Sequence, residues 1–169
     1  RGVVYSTSAN PTTANSKVAS GSGTGAFTCN LTGLQPNTTY YVRAYAVNSK
    51  GTSYGEQVTF TTLTPIVVPT VMTSTITQIT ETTAVAGGNV TSDGGASVTE
   101  RGVVYSTSTN PTTASNKVIS GSGMGAFTCN LTGLQPNTTY YVRAYAVNSK
   151  GTSYGEQVTF TTLTPIVVP

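Results

Sequence analysis

The chain has 169 residues, eight basic and five acidic side chains, a formal net charge of +3 and no histidine. Only 8% of its residues are charged, against about a quarter in an average soluble domain, and threonine makes up about a fifth. The basic residues are scattered singly, so they form no nucleic-acid patch; no apolar run approaches the ~18 residues of a spanning helix; and the missing histidine removes Ser–His and Cys–His nucleophile pairs and most zinc sites.

In chain order, residues 1–63 carry the later strands, C to G, of a unit whose earlier strands are absent. Residues 64–69 read as a Pro-bounded, β-branched linker, stiff and extended. The complete unit spans 70–163. Its expected strands are Thr70–Ile76, Thr82–Thr91, Val98–Ser106, Lys117–Ser120 (a short edge strand), Ala126–Leu131, Tyr140–Asn148 and Glu156–Thr162. Turns rich in Gly, Asn and Pro separate them, at 92–95, Asn110-Pro111 and 121–125. Alternation puts Ala84, Ala86, Gly88 and Val90 on one face of the second strand, and Phe27, Cys29 and Leu31 on one face of theirs. Residues 164–169 are a second linker or a strand-donor tail, with Ile166, Val167 and Val168 as the donor residues.

This order follows from a repeat. Residues 1–69 recur at 101–169 with five differences: Ala9/Thr109, Asn15/Ser115, Ser16/Asn116, Ala19/Ile119 and Thr24/Met124; residues 70–100 occur once. A period of 100 is far longer than a solenoid unit and suits one small β-sandwich, so the expectation is beads on a string. The first copy opens mid-bead at Arg1. It is either a window cut from a longer array or an open half-sandwich that a neighbouring chain completes by strand addition. The hairpin at 70–91 should serve residues 101–163. Six linker residues reach about 20 Å, short of the roughly 30 Å between the two ends of such a sandwich.

Leu134, Pro136, Thr138 and Tyr140, repeated as Leu34, Pro36, Thr38 and Tyr40, form an L-x-P-x-T-x-Y segment. It resembles the corner that enters strand F of fibronectin type III domains. There a Tyr ring packs inward and its hydroxyl bonds back to the loop backbone. The resemblance implies an all-β, Ig-like, seven-stranded sandwich in tandem. Val142, Ala144 and Ala146 then face inward, and Tyr141, Arg143, Tyr145 and Val147 outward. The chain departs from the family pattern in having no Trp; Gly88 occupies the aligned core position, and Tyr105 is the expected replacement. The strings around Gly87–Gly95, Arg101–Thr107 and Asn137–Ala146 also resemble the fibronectin III-like repeats of large secreted Bacteroidetes-type surface proteins. That resemblance implies an exported, non-catalytic stalk or adhesin.

No catalytic, cofactor or metal site is expected. The five carboxylates, Glu56, Glu81, Asp93, Glu100 and Glu156, form no pair, and calcium loops need denser carboxylates. One cysteine per bead, Cys29 and Cys129, leaves no partner within a bead. Each is a buried small hydrophobe or an intermolecular cross-link. Asn30, Asn37, Asn89, Asn130 and Asn137 each open an Asn-x-Thr triplet, which a Thr-rich chain also produces by chance. The outward stripe of Tyr41, Arg43 and Tyr45, with Tyr141, Arg143 and Tyr145, is either a gripping face for a glycan or protein or cross-strand packing. Three functions remain open: a surface fibre, stalk or adhesin whose partners are identical repeats, a binding module using the Tyr/Arg face, and a spacer in a secreted polysaccharide-degrading enzyme.

Overall fold

Thirteen strands and no helix form in the computed structural model, which describes residues 1–166. The chain divides into two units, Arg1–Pro65 and Ile66–Pro169. In the first, β1 (Gly2–Ser6), β2 (Ser16–Ala19), β3 (Thr39–Asn48), β4 (Gly51–Tyr54) and β5 (Val58–Thr61) make one antiparallel sheet. Its order is β2-β1-β3-β4, and β5 also pairs with β3. Residues 26–31 of this unit form no strand.

The second unit has two sheets. β6 (Thr70–Thr73), β7 (Ala84–Ser92) and β10 (Gly125–Leu131) run in the order β10-β7-β6. β8 (Glu100–Ser106), β9 (Asn116–Ile119), β11 (Thr139–Asn148) and β12 (Gly151–Tyr154) run in the order β12-β11-β8-β9, with β13 (Val158–Thr161) also on β11. The β6–β7 hairpin pairs with β10 of its own unit, in ordinary chain order. The two sheets close a sandwich over one core. Ala84, Ala86 and Val90 of β7, Phe127, Cys129 and Leu131 of β10, and Val142, Ala144 and Ala146 of β11 are all buried in it. That is the period-2 burial expected of half-buried strands.

Four expectations need correction. The strand expected at Glu156–Thr162 is β13, paired with Thr139–Val142, and an additional strand that was not expected, β12, precedes it and pairs with Tyr145–Asn148. β11 and β12 therefore join through a tight turn at 149–150. The interruption falls at Gly155, where a Cβ would lie 2.6 Å from Thr73 N. β6 stops at Thr73 rather than Ile76; Ser74 N–H still donates to Gly87 O at 3.0 Å, and the Thr73 hydroxyl accepts the Ala144 N–H of the opposite sheet at 3.0 Å. Residues 64–69 are not one free linker. Val67 N–H donates to Gly94 O at 2.9 Å, and Pro69 is buried. Gly94 has φ +71°, and a Cβ there would strike the Val67 carbonyl, so both conformation and space require glycine.

The fourth correction concerns the core position lacking Trp. Phe127, not Tyr105, fills the space over Gly88. The two residues are register partners, and a Cβ on Gly88 would lie 2.9 Å from Phe127 Cζ. Tyr105 packs instead against Tyr140, with ring centroids 6.2 Å apart.

The five positions at which the copies differ are exposed in both, apart from half-buried Ser115. Val167 and Val168 of the expected donor tail lie outside the described residues; Ile166 is exposed.

Candidate functional site

The tyrosine corner is built from local chemistry. Asn137 takes φ +46°, a left-handed conformation that Asn tolerates, and this turns the chain back from Leu134 and Pro136 into β11. The Tyr140 ring is buried and stacks on Phe160 at 5.7 Å. Its hydroxyl accepts the Gln135 N–H at 2.9 Å. Thr138 Oγ1 donates to Pro136 O at 2.8 Å, and Thr138 N–H donates to Thr162 Oγ1 at 2.9 Å. The first unit repeats the corner: Gln35 N–H donates to the Tyr40 hydroxyl at 3.0 Å, and Thr38 Oγ1 to Pro36 O at 2.8 Å. Leu34 is half-buried where Leu134 is buried.

The Tyr/Arg stripe is already engaged with its own sheet. Arg143 lies 4.6 Å over the Tyr154 ring and its Nε donates to Gly155 O at 3.1 Å; Arg43 does the same with Tyr54 at 4.7 Å and Gly55. Such stacking is cation–π packing. Tyr145 does not face solvent as expected. It is fully buried, and its hydroxyl donates to Glu100 Oε1 at 2.7 Å. Tyr41, Tyr45 and Tyr141 are half-buried.

Val104 is buried although it points away from the core, because the β8–β9 loop folds across that outer face. Pro111 is fully buried, and Thr113 N–H donates to the Tyr154 hydroxyl at 3.0 Å. The first unit keeps this second layer, with Val4 and Pro11 buried and Thr13 N–H on the Tyr54 hydroxyl at 2.9 Å. The signal for it in the sequence is the Asn-Pro at 10–11 and 110–111, which marks a loop but not its direction.

Lys117 Nζ bonds Glu100 Oε1 at 3.1 Å. The Tyr145 hydroxyl and then Lys117 hold the Glu100 carboxyl below the usual carboxylate range. Burial, then the Glu100 hydrogen bond and charge, push the Tyr145 phenol well above its usual value. Another cluster that sequence reasoning missed is centred on Arg101. Its Nη1 donates to Met124 O at 2.6 Å and to Gly123 O and Gly125 O at 3.2 Å, while its guanidinium lies 5.2 Å over Phe127. It pins the Gly-rich turn onto the core aromatic.

Identical sequences occupy different environments in the two units. Phe60 is 38% exposed and Phe160 6%. Ala44 and Ala46 are exposed, whereas Ala144 and Ala146 are buried. Cys29 is half-buried; Cys129 is buried in the core, where desolvation raises its thiol pKa. Clefts open on this face of the first unit, among them one of about 300 Å³ beside Ala46, Asn48 and Gly51. Among the described residues, no group of three His, Cys, Asp or Glu side chains is placed to hold a metal, and no helix is long and apolar enough to cross a membrane.

The chain is similar to the sensor domain of the anti-sigma factor RsgI4 from Pseudobacteroides cellulosolvens, at 21% identity and a TM-score of 0.45, over 60% of this chain and 100% of that one. It is similar to the FN1–FN3 domains of chicken CNTN1 at 21% identity and a TM-score of 0.46, over 96% of this chain and 55% of that one. A computationally redesigned β-sandwich protein is 28% identical, with a TM-score of 0.42 over 59% of this chain and 98% of that one. No curated protein sequence matches the chain. The model of the fibronectin type III domain matches residues 69–162, more than half of the chain. With its two-sheet topology and tyrosine corner, the chain belongs to the fibronectin type III family.

Proposed function

We propose that this chain is a structural, non-catalytic segment of an extracellular repeat protein. In this reading it contributes to a bacterial surface fibre, stalk or adhesin and self-associates with identical or adjacent repeats. The observation that carries the reading is the recurrence of residues 1–69 at 101–169 with only five substitutions, on a module type whose usual work is structural or adhesive. Near-identity suits uniform serial stacking. The Arg43 and Arg143 guanidiniums are committed to Tyr54 and Tyr154, which favours packing over ligand capture at that face.

Electron microscopy of the native material, with light scattering on the 169-residue chain, tests the reading. Regular filaments or rods with a short axial repeat are expected. Dispersed, unassociated particles at every concentration would reject it.

A further inference from the structure

The second unit carries a cleft that is lined by neither its tyrosine corner nor its Tyr/Arg stripe. At one end of the β10-β7-β6 sheet, Val85 of β7 lies between Thr77, with which it forms an isolated bridge, and Asn130 of β10, its register partner. A cleft of about 310 Å³ opens there. Its apolar lining is buried Ala84 and Leu131 with half-buried Val85, and Gln78, Asn130 and Thr132 stand exposed around them. The turn carrying Thr80 and Thr83 makes a fixed wall. The two hydroxyls bond each other at 2.7 Å, and Thr80 N–H donates to Thr83 O at 2.8 Å.

Gln78 is the anomaly in this cleft. Among the described residues, five non-glycine residues have positive φ; four are Asn, and the fifth is Gln78 at +49°. Asn tolerates that conformation because its short side chain bonds locally to the backbone. Gln78 makes no such bond. Its side-chain amide has no protein hydrogen-bond partner among the described residues, and neither do the Asn130 amide and the Thr132 hydroxyl. Strain held at a cleft points to what the strained side chain reaches for.

The free groups define the ligand. Each amide offers a donor and an acceptor, as does each hydroxyl. Such groups around an apolar floor match a ring that carries hydroxyls at its edge and C–H bonds on its face. No charged side chain lines the cleft, so a phosphate, carboxylate or amine would lose water there without gaining a partner. The volume stands at the lower end of the roughly 300–1,000 Å³ of small-molecule pockets, which suits one ring rather than a chain of them.

We propose that this cleft is a subsite for one neutral sugar residue at the end of a glycan. The Gln78 and Asn130 amides and the Thr132 hydroxyl take the ring hydroxyls, and Val85 lies under the C–H face. No aromatic ring lines the cleft, so a single residue binds only in the millimolar range, as its few atoms allow. An array of beads gains affinity by engaging several residues at once. The inference goes beyond the structural role proposed above and holds whether or not the chain forms filaments.

The test follows backbone amide NMR signals of the isotope-labelled full chain during titration with the methyl glycosides of glucose, galactose, mannose and N-acetylglucosamine. Gln78, Thr80, Thr83 and Val85 fall in the stretch that occurs once, so their signals have no twin in the other copy. Saturable shifts at these amides are expected with at least one glycoside, while Tyr141 and Arg143 stay unmoved. Gln78→Gly keeps the turn, because glycine adopts positive φ freely, and is expected to weaken binding at least about tenfold by removing one hydrogen-bonding group. Absence of shifts with all four glycosides, at concentrations about tenfold above the millimolar range, overturns the proposal. So do shifts centred on Tyr141 and Arg143, or binding by the Gln78→Gly chain equal to that of the parent. Binding of free glucose, galactose, mannose or N-acetylglucosamine without binding of its methyl glycoside would assign the cleft to a free sugar and overturn the glycan.

Discussion

Gly88 faces Phe127 across the β7–β10 ladder, and a Cβ on Gly88 would also lie 2.5 Å from the Cβ of Ala144. One missing side chain thus makes room for two neighbours from different sheets. Gly88→Ala is expected to destabilise the second unit by ~1–3 kcal/mol through overpacking. Phe127→Ala, which opens a cavity instead, should cost ~3–5 kcal/mol. Denaturant unfolding measures both. An unchanged midpoint for either variant would contradict the packing described.

The tyrosine corner gives a second prediction. Tyr140→Phe keeps the ring and removes the acceptor of the Gln135 N–H. An unpaired backbone donor in a partly buried corner costs ~1–3 kcal/mol. Amide hydrogen exchange at Gln135 should accelerate along with the loss. Tyr40→Phe should have the same local effect at Gln35.

Acid should weaken the second unit through Glu100. Its folded pKa is lowered by the Tyr145 hydrogen bond and by Lys117, so its contribution is fully present above the unfolded value of about 4.3. That contribution fades as pH falls through the lower folded value. The effect is small, because the Lys117–Glu100 pair is about one-third exposed on each side. Glu100→Gln should flatten the acid limb of the stability curve, and an acid limb identical to that of the parent would refute the assignment.

Alkali acts through the other end of the same bond. The Tyr145 pKa is raised, by burial first and by Glu100 second. Its contribution to stability therefore persists below the unfolded value of about 10 and declines as pH climbs through the folded one. In an ultraviolet tyrosinate titration, one phenol should ionise only as the second unit opens. That late component should vanish in Tyr145→Phe.

Strand, turn and inward positions were legible wherever local periodicity decides them. Val142, Ala144 and Ala146 are buried as alternation requires, and the corner sits where the L-x-P-x-T-x-Y spacing puts it. What eluded the sequence depends on contacts between distant segments. Tyr145 alternates outward yet is buried, with its hydroxyl on Glu100, 45 positions away, and nothing in a strand's own pattern encodes that contact. The break between β12 and β13 at Gly155 recurs between β4 and β5 at Gly55, with Gly155 N–H on Ala144 O and Gly55 N–H on Ala44 O, both at 2.9 Å. Phe127 beneath Gly88 requires the β7–β10 register, and that register was available only once the two strands were paired.

The five differences between the copies fall on the outside of the beads, and even the exchange at position 15 preserves its bond: Thr12 N–H donates to Asn15 Oδ1 at 2.8 Å, and Thr112 N–H to Ser115 Oγ at 3.2 Å. The interiors are thus interchangeable parts carrying no address. In any assembly of such beads, a hairpin cannot tell its own bead from another by chemistry. Partner choice falls to tether length and to the local concentration that the tether imposes.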